Sequence, residues 1–224
     1  MDALSIAYQR VWDAFQRSGL TEDGRHDIGR WAAASGPYAA CIIRIAAEAI
    51  QPGLTSLRGT LTGVQGVRLH PDHFLHIMLQ ELGFVVDVPR SPDELTEARL
   101  EEFAQAAAGT ISSMPGFSIH LGGANSFQDA VFLDVGAGRP LLGLHERLFD
   151  LAAIPSAPEY PYLPHCTVAH YDGTAPHEVA QSRIGPWRNV VFGEFSVNEA
   201  EIVTLDTRET YPELQTYAVI PFAD

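Results

Sequence analysis

The chain has 224 residues, of which 46% are hydrophobic, and its 28 acidic and 14 basic side chains give a net charge of −14. This length and apolar content suffice for one large domain with a substantial core, and they exclude a disordered or collagen-like chain. The acidic balance argues against a protein that holds long nucleic acid by neutralising phosphates, but a small anionic ligand in a local pocket is compatible with it.

The basic residues and the cysteines narrow the chemistry further. All the basic residues are arginines, so the chain has no lysine for a Schiff base or a phosphate-binding P-loop. Cys41 and Cys166 each lie in an apolar run and are predicted to be buried thiols. The N-terminus lacks the pattern of a signal peptide, and the most apolar window, 38–50, contains Arg44 and Glu48. These features predict a cytoplasmic protein that does not enter a membrane.

The first predicted element is an amphipathic helix over 2–18 that ends at Gly19. Its apolar residues recur at helical spacing: Leu4, Tyr8, Val11 and Phe15. A polar, glycine-containing connector follows over 21–36. We therefore predict a helical appendage and connector over 1–36 and a main domain over 37–224.

The main domain mixes strand-like and helical patterns. The predicted strands cover 38–46, 64–69, 74–79, 117–121, 130–135, 166–170, 190–195, 199–206 and 214–222. The predicted helices cover 46–58, 91–108 and 139–153. Pro52-Gly53 should break the first of them. The second has Ser91 as its N-cap and Gly109 as its stop. Strands in antiparallel hairpins mixed with helices indicate the α+β class.

Histidines are the first candidates for chemistry. His70, His73 and His76 recur every three residues, which invites a metal-site interpretation. On a strand, however, His73 would point away from the other two. We expect no metal and no cofactor, and keep as an alternative a metal-dependent hydrolase that uses His70 and His76, with Asp72 as an optional third group.

Two predicted strands carry a similar histidine motif. Their sequences are Phe74-Leu75-His76-Ile77-Met78-Leu79 and Pro164-His165-Cys166-Thr167-Val168-Ala169-His170. In each, the histidine and the residue two positions later share one face of the strand, and apolar residues occupy the other. Two imidazoles that converge on a phosphate can act as general base and general acid, and a hydroxyl can bind a phosphoryl oxygen. The same spacing fits two unrelated histidines at the edge of a core equally well.

These motifs, in this order of elements over 38–222, resemble the 2H phosphoesterase superfamily, which includes the 2′-5′ RNA ligase-like proteins. The resemblance implies a bilobal α+β fold of two antiparallel-rich sheets with helices outside, pseudo-two-fold symmetry and a central cleft. It also implies metal-independent chemistry on phosphodiesters, commonly 2′,3′-cyclic phosphates or 2′-5′ linkages. The chain departs from the family at Met78, where Thr or Ser is usual, and at His170, where an arginine is frequent.

The resemblance assigns the catalytic acid and base to His76 and His165, in an order that the sequence leaves open. The predicted substrate contacts are Thr167, Met78, Arg44, Phe74 and Tyr162. Among these, Thr167 would bind a phosphoryl oxygen, Arg44 would counter phosphate charge, and the two aromatic rings would flank a base or ribose. Alternation along the strand predicts that His170 lies on the face opposite His165.

Charge and motif together predict a partner of limited size. A net charge of −14 repels a long polyanion, so we expect a small nucleotide or cyclic phosphate, with RNA ends as a further option, and we do not expect long nucleic acid. The protein is predicted to be a monomer. The alternative within the same fold is a non-catalytic nucleotide-binding module, which Met78 favours and the presence of both histidines opposes.

Overall fold

The computed structural model describes residues 3–25, 29, 31, 34–136, 138–153 and 161–223, so part of the predicted connector lies outside the described residues. The α-helices of the described residues are α1 Ala3–Ser18, α2 Gln51–Leu61, α3 Glu97–Ile111, α4 Gly138–Ala152 and α5 Glu178–Ile184. The strands are β1 Tyr38–Arg44, β2 Val67–Leu69, β3 His76–Val85, β4 Glu94–Leu95, β5 Phe117–Ser126, β6 Ala130–Gly136, β7 His165–Tyr171, β8 Val191–Val197, β9 Glu199–Leu205 and β10 Gln215–Pro221. None of the described helices is long and apolar enough to cross a membrane.

The strands form one sheet in the order β10-β9-β1-β3-β7-β6-β5-β8, with β2 added to β7 and β4 added to β3. The order is symmetric about the junction of β3 and β7, with four strands on each side. These two strands pair antiparallel at one registered position, Ile77 with Cys166. The two predicted sheets are therefore two halves joined along one seam, and the prediction of a bilobal α+β fold is confirmed.

The seam places both histidine motifs at the centre of the molecule. His76 is the first residue of β3 and His165 is the first residue of β7. The apolar residues between and after them are fully buried in the main core, including Ile77, Leu79 and Cys166. We call the side of β3 and β7 that carries these apolar residues the core face and the opposite side the site face.

The core face is covered by helices, whereas the site face of the β3 half carries a smaller apolar cluster. Leucines of α2, α3 and α4 pack into the main core together with both cysteines, which are free thiols as predicted. Burial raises the pKa of Cys41 and of Cys166 to about 12. The smaller cluster contains Tyr38, Ala40, Ile42, Phe84, Val203 and Leu214.

Helix α1 packs against the half of the sheet that contains β7. Tyr8, Trp12 and Phe15 are buried, and Phe15 stacks on Tyr171 of β7 at 6.4 Å. The Asn125 side chain of β5 donates a hydrogen bond to the backbone carbonyl of Tyr8 at 3.0 Å. These contacts attach the N-terminal helix to the sheet. The division of the chain into an appendage over 1–36 and a main domain over 37–224 stays a prediction.

Two helix boundaries differ from the sequence prediction. Pro52 does not break a helix but lies in the first turn of α2, where its missing N–H removes no intrahelical hydrogen bond. The next predicted helix does not begin at Ser91, because residues 94–95 first pair with β3. Thr96 caps α3 instead, accepting a hydrogen bond from the Arg99 amide, and the helix continues past Gly109 to the fully buried Ile111.

Candidate active site

The register of the seam brings the two motifs together. Extending the Ile77–Cys166 pair by one residue in each direction places His76 opposite Thr167 and Met78 opposite His165, all on the site face. His76 and His165 are then diagonal neighbours, which in a regular antiparallel pair lie about 7–8 Å apart, with their Cβ atoms somewhat closer. This spacing suits two imidazoles that act on opposite sides of one phosphate.

Both imidazoles are oriented by the backbone. Nδ1 of His76 lies 2.8 Å from the carbonyl oxygen of Phe74, and Nδ1 of His165 lies 2.8 Å from that of Leu163. A carbonyl oxygen only accepts, so each Nδ1 carries the proton and donates it. In the neutral ring, Nε2 is therefore the nitrogen with the lone pair, and it is the atom left to accept or return a proton in each histidine.

The electrostatic surroundings of the two histidines differ. Burial lowers the pKa of His76 to about 4. The hydrogen bond to the Phe74 carbonyl raises this pKa, whereas the positive charges at His165 and Arg44 lower it further. Burial also lowers the pKa of His165, but here both the Leu163 carbonyl and the Asp129 carboxylate oppose the shift. Asp129 thus favours the protonated form at His165, and Arg44 disfavours it at His76.

The residue two positions after each histidine breaks the symmetry of the site. Thr167 is half-buried and pairs with Phe132 of β6. Met78, half-buried as well, pairs with Ile42 of β1 and packs on the smaller apolar cluster. The hydroxyl is therefore beside His76, and the side chain beside His165 is a thioether, which is at best a weak hydrogen-bond acceptor.

Phe74 and Arg44 both lie next to His76. The ring of Phe74 meets the His76 imidazole edge to face, with the centroids 5.4 Å apart. Arg44 pairs with His76 across β1 and β3, but its guanidinium forms a two-pronged ion pair with Glu201 at 2.8 and 2.9 Å. The Glu201 carboxylate therefore already balances the charge of the Arg44 guanidinium. A direct contact of Arg44 with phosphate stays a prediction.

Tyr162 is placed differently from the other predicted contacts. Its ring stacks on His145 of α4 with the centroids 3.7 Å apart, and its hydroxyl donates to the carbonyl of Met78 at 2.8 Å. His145 in turn bonds to the carbonyl of Leu79. Tyr162 thus links α4 to the backbone of β3, and the contacts of the described residues do not bring its ring to the two histidines.

The prediction that His170 faces away from His165 is wrong. Between β6 and β7 the register shifts, so that Thr167 pairs with Phe132 but Ala169 pairs with Val131, and Val168 is the extra residue of a β-bulge. The bulge returns His170 to the site face, where its Nδ1 lies 2.9 Å from Nε2 of His70. Strict alternation holds only for a strand without such an insertion.

The residues of the metal alternative have other partners. His70 bonds to His170, and Asp72 forms an ion pair with Arg58. His73 lies in a 3-10 turn over Asp72–Phe74 rather than on a strand, and its Nε2 bonds to the carbonyl of Tyr211. In the part of the chain that the structure describes, no three His, Cys, Asp or Glu side chains are grouped to hold a metal ion.

The structure adds a positioning contact that the sequence did not reveal. The hydroxyl of Tyr8 in α1 lies 2.5 Å from the carbonyl oxygen of Pro164, the residue before His165, and accepts the Val135 amide at 3.0 Å. Asp134, opposite His165 in β6, is also in this region. Burial raises the pKa of Asp134 to about 6, opposed by hydrogen bonds and charge from Asn125 and Arg188.

A second addition is a cavity of about 240 Å³, one wall of which is Phe74, the ring that meets His76. Its lining includes Trp31, Phe74, Asp129, His170, Leu205 and Tyr211. Of these, only Phe74 was a candidate from the sequence, because the remaining residues come from segments that lie far apart along the chain. A bulky residue directly before a proline, Tyr211-Pro212, is the one local irregularity that could have drawn attention to the loop between β9 and β10.

A family model described as the 2′-5′ RNA ligase superfamily matches residues 46–209, which include both histidine motifs. The chain belongs to the 2′-5′ RNA ligase superfamily. It is thus a member of the 2H phosphoesterases, as the two motifs predict, and phosphoester chemistry is the general activity that this membership supports. Helix α1 lies outside the matched residues. No curated protein matches the chain.

Solved structures share the fold at low sequence identity. E. coli LigT, crystallised with NADP+, is 18% identical with a TM-score of 0.63, and the match covers 85% of this chain and 100% of LigT. The protein TT0787 of Thermus thermophilus is 19% identical with a TM-score of 0.60, covering 83% and 97%. The protein of unknown function ATU0111 from Agrobacterium tumefaciens is 12% identical with a TM-score of 0.56, covering 82% and 85%.

Proposed function

We propose that this protein is a metal-independent phosphodiesterase that hydrolyses a small nucleotide with a 2′,3′-cyclic phosphate or a 2′-5′ linkage. The observation that carries the proposal is the matched orientation of His76 and His165, each of which keeps Nε2 for proton transfer on the site face. Membership of a phosphoesterase superfamily supports the same reaction class. E. coli LigT has been crystallised with NADP+, phosphate, ATP and 3′-AMP, and its fold likeness supports a nucleotide as the ligand class.

For a 2′,3′-cyclic phosphate, hydrolysis is one displacement at phosphorus. A water oxygen attacks the phosphorus atom and gives a proton to Nε2 of one histidine. The bond from phosphorus to one ribose oxygen breaks, and that oxygen takes a proton from Nε2 of the other histidine. The product is a phosphate monoester with a free neighbouring hydroxyl, and one proton passes through the solvent to restore both rings.

The charges around the two rings support a division of roles between the two histidines. His76 is the base, because burial and the neighbouring positive charges at His165 and Arg44 keep it neutral. His165 is the acid: burial lowers its pKa, but the Leu163 carbonyl and Asp129 oppose that shift, and the negative charge of a bound phosphodiester would oppose it further. Thr167, opposite His76, donates a hydrogen bond to a phosphoryl oxygen on that side.

The second candidate function is a nucleotide-binding module without catalysis, and Met78 is the observation that favours it. The thioether beside His165 removes one of the two hydroxyls that the family pattern provides for phosphate. Binding alone, however, does not require two imidazoles with matched Nδ1 contacts. We therefore rank hydrolysis first.

The deciding experiment is a substrate panel of 2′,3′-cyclic nucleotides, 2′-5′ dinucleotides and 3′-5′ dinucleotides, with and without EDTA. We expect turnover of at least one cyclic or 2′-5′ substrate, no loss with EDTA, and one monoester isomer as product. Nucleotide binding with no turnover on the whole panel would favour the binding module. Activity abolished by EDTA and restored by zinc or manganese would favour the metal-dependent alternative.

A further inference from the structure

The seam between the two halves of the sheet rests on little strand pairing. β3 and β7 pair at one registered position, Ile77 with Cys166, and each of these residues directly follows a histidine of the site. The backbone ladder alone therefore does not fix the spacing of His76 and His165. Contacts on either side of this pair must hold the two strands in place.

Both strands carry a β-bulge at the same distance from their histidine. In β3, Gln80 pairs with Cys41 and Met78 pairs with Ile42, which leaves Leu79 as the extra residue. Leu79 lies three positions after His76, as the bulged Val168 lies three positions after His165. The extra residue of a bulge is left out of the regular ladder, so its carbonyl needs a partner from elsewhere.

The two halves satisfy these carbonyls in different ways. In the β7 half, the carbonyl of Val168 accepts the backbone amide of His70, the residue that follows β2, at 2.8 Å. In the β3 half, the carbonyl of Leu79 accepts the Nδ1 proton of His145, a side chain of α4, at 2.6 Å. A side chain thus does for β3 what the backbone after β2 does for β7.

Tyr162 binds the carbonyl next to this bulge. Its hydroxyl donates to the carbonyl of Met78 at 2.8 Å, and its ring stacks on His145 with the centroids 3.7 Å apart and the planes 12° from parallel. Burial raises the pKa of Tyr162 above its usual value, so the hydroxyl keeps its proton and stays a donor. Met78 lies opposite His165 across the seam, so this bond joins the two histidine motifs.

The chain next to Tyr162 orients a catalytic ring. Tyr162 is followed by Leu163, whose carbonyl accepts the Nδ1 proton of His165 at 2.8 Å. Because the Tyr162 side chain is anchored on β3, it fixes this carbonyl relative to the strand that begins with His76. A displacement of about 1 Å in such an arrangement can cost on the order of 10²-fold in rate.

Resting on the proposed function, we propose that Tyr162 and His145 are positioning residues for the two-histidine reaction. They hold the bulged backbone of β3 by two successive carbonyls and thereby set the spacing of His76 and His165. His145 supports Tyr162 through the stacked rings, and Tyr162 acts on His165 through the carbonyl of Leu163.

The test removes the two hydrogen bonds and keeps the stacked rings. Tyr162→Phe removes the hydroxyl, and His145→Phe removes the Nδ1 donor. The matched control is Tyr171→Phe, which removes another buried tyrosine hydroxyl, bonded to Ser126 at 2.8 Å. Two quantities are measured: kcat and KM on the best substrate of the panel, and the tautomer of His165 by NMR of protein with ¹⁵N-labelled histidine, assigned with His165→Asn.

We expect Tyr162→Phe to lower kcat by roughly 10- to 100-fold with little change in KM, because the substrate contacts remain while the acid–base pair is misplaced. The His165 signals should change from the Nδ1-protonated form to a mixture of both tautomers. Tyr171→Phe should keep both kcat and the His165 tautomer. The double variant of Tyr162→Phe and His145→Phe should lose less than the product of the two single losses, because both bonds hold one segment of β3.

An unchanged His165 tautomer in Tyr162→Phe would overturn the proposal, whatever the activity. So would a kcat equal to that of Tyr171→Phe, including the case in which only thermal stability falls. If Tyr162→Phe does not fold, the same outcomes are read from His145→Phe. If the unmodified protein turns over no substrate, a tautomer change in Tyr162→Phe that is absent from Tyr171→Phe would uphold the positioning of His165 and reject only the proposed hydrolysis.

Discussion

His76 and His165 are held by the same backbone arrangement: each donates its Nδ1 proton over 2.8 Å to the carbonyl of the residue two positions earlier. The two-fold relationship of the sheet therefore extends to the tautomers of the two rings. It ends at the residue two positions after each histidine, where Thr167 on β7 corresponds to Met78 on β3.

The first prediction concerns Met78. Met78→Thr should raise kcat/KM on 2′,3′-cyclic nucleotides by about tenfold, because a hydroxyl opposite His165 would supply one net hydrogen bond to the phosphate. Steady-state kinetics on the substrate panel measures the change. Thr167→Val should lower kcat/KM by a similar or larger factor, since it leaves a phosphoryl oxygen without its partner. A neutral Met78→Thr combined with a severe Thr167→Val would show that the Met78 side is not a phosphate contact.

The second prediction concerns Tyr8, whose hydroxyl reaches the carbonyl of Pro164 next to His165. Tyr8→Phe should lower kcat by roughly tenfold with little change in KM, because α1 would no longer fix the start of β7. It should also shift the pH–rate profile, since the environment of His165 changes. The matched control is Tyr217→Phe, which removes a hydroxyl bonded to Glu101 on another part of the surface. Equal losses in the two variants, or an effect confined to thermal stability, would reject a positioning role.

The third prediction concerns stability against pH. The pKa of His76 is lowered to about 4 in the folded protein and is about 6.5 when unfolded, so the unfolded chain binds more protons between these values. The stabilising contribution is present above pH 6.5 and is lost as the pH falls towards 4. From pH 7.5 to pH 5 the loss at His76 amounts to about 2 kcal/mol.

Urea unfolding at the two pH values measures this loss. His76→Asn should reduce the difference in unfolding free energy between pH 7.5 and pH 5 by about that amount, whatever its effect at either single pH. His120→Asn, which makes the same substitution at an exposed histidine of β5, is the matched control. An unchanged difference in His76→Asn would mean that His76 titrates as an exposed imidazole.

Alternation along a strand was enough to predict which residues share a face within each motif. His76 shares a face with Met78 on β3, and His165 with Thr167 on β7, while Ile77 and Cys166 between them face the core. The family resemblance then supplied the pairing of the two motifs, which spacing alone could not. The same alternation failed at His170, because a β-bulge at Val168 inserts one residue and has no visible signal in the sequence.

The cavity shows the other limit of the sequence. Trp31 and Tyr211 are separated by most of the chain, and only the packing of the sheet brings both to the cavity that Phe74 also lines. Tyr162, by contrast, is close to His165 in sequence, but its ring and its hydroxyl contact other residues. Its ring stacks on His145, and its hydroxyl donates a hydrogen bond to the carbonyl of Met78. Proximity along the chain is a weak guide to contacts made by loop residues.

The central claim is that His76 and His165 act as one acid–base pair, and the most direct measurement is kcat for adenosine 2′,3′-cyclic phosphate as a function of pH in single variants. We predict a bell-shaped profile for the unmodified protein, and losses of roughly 10²–10⁴ in both His76→Ala and His165→Ala, each losing one limb of the bell. His120→Ala should stay within about twofold of the unmodified protein, and circular dichroism should show all three variants folded. Turnover within tenfold of the unmodified protein after removal of either His76 or His165 would contradict the account.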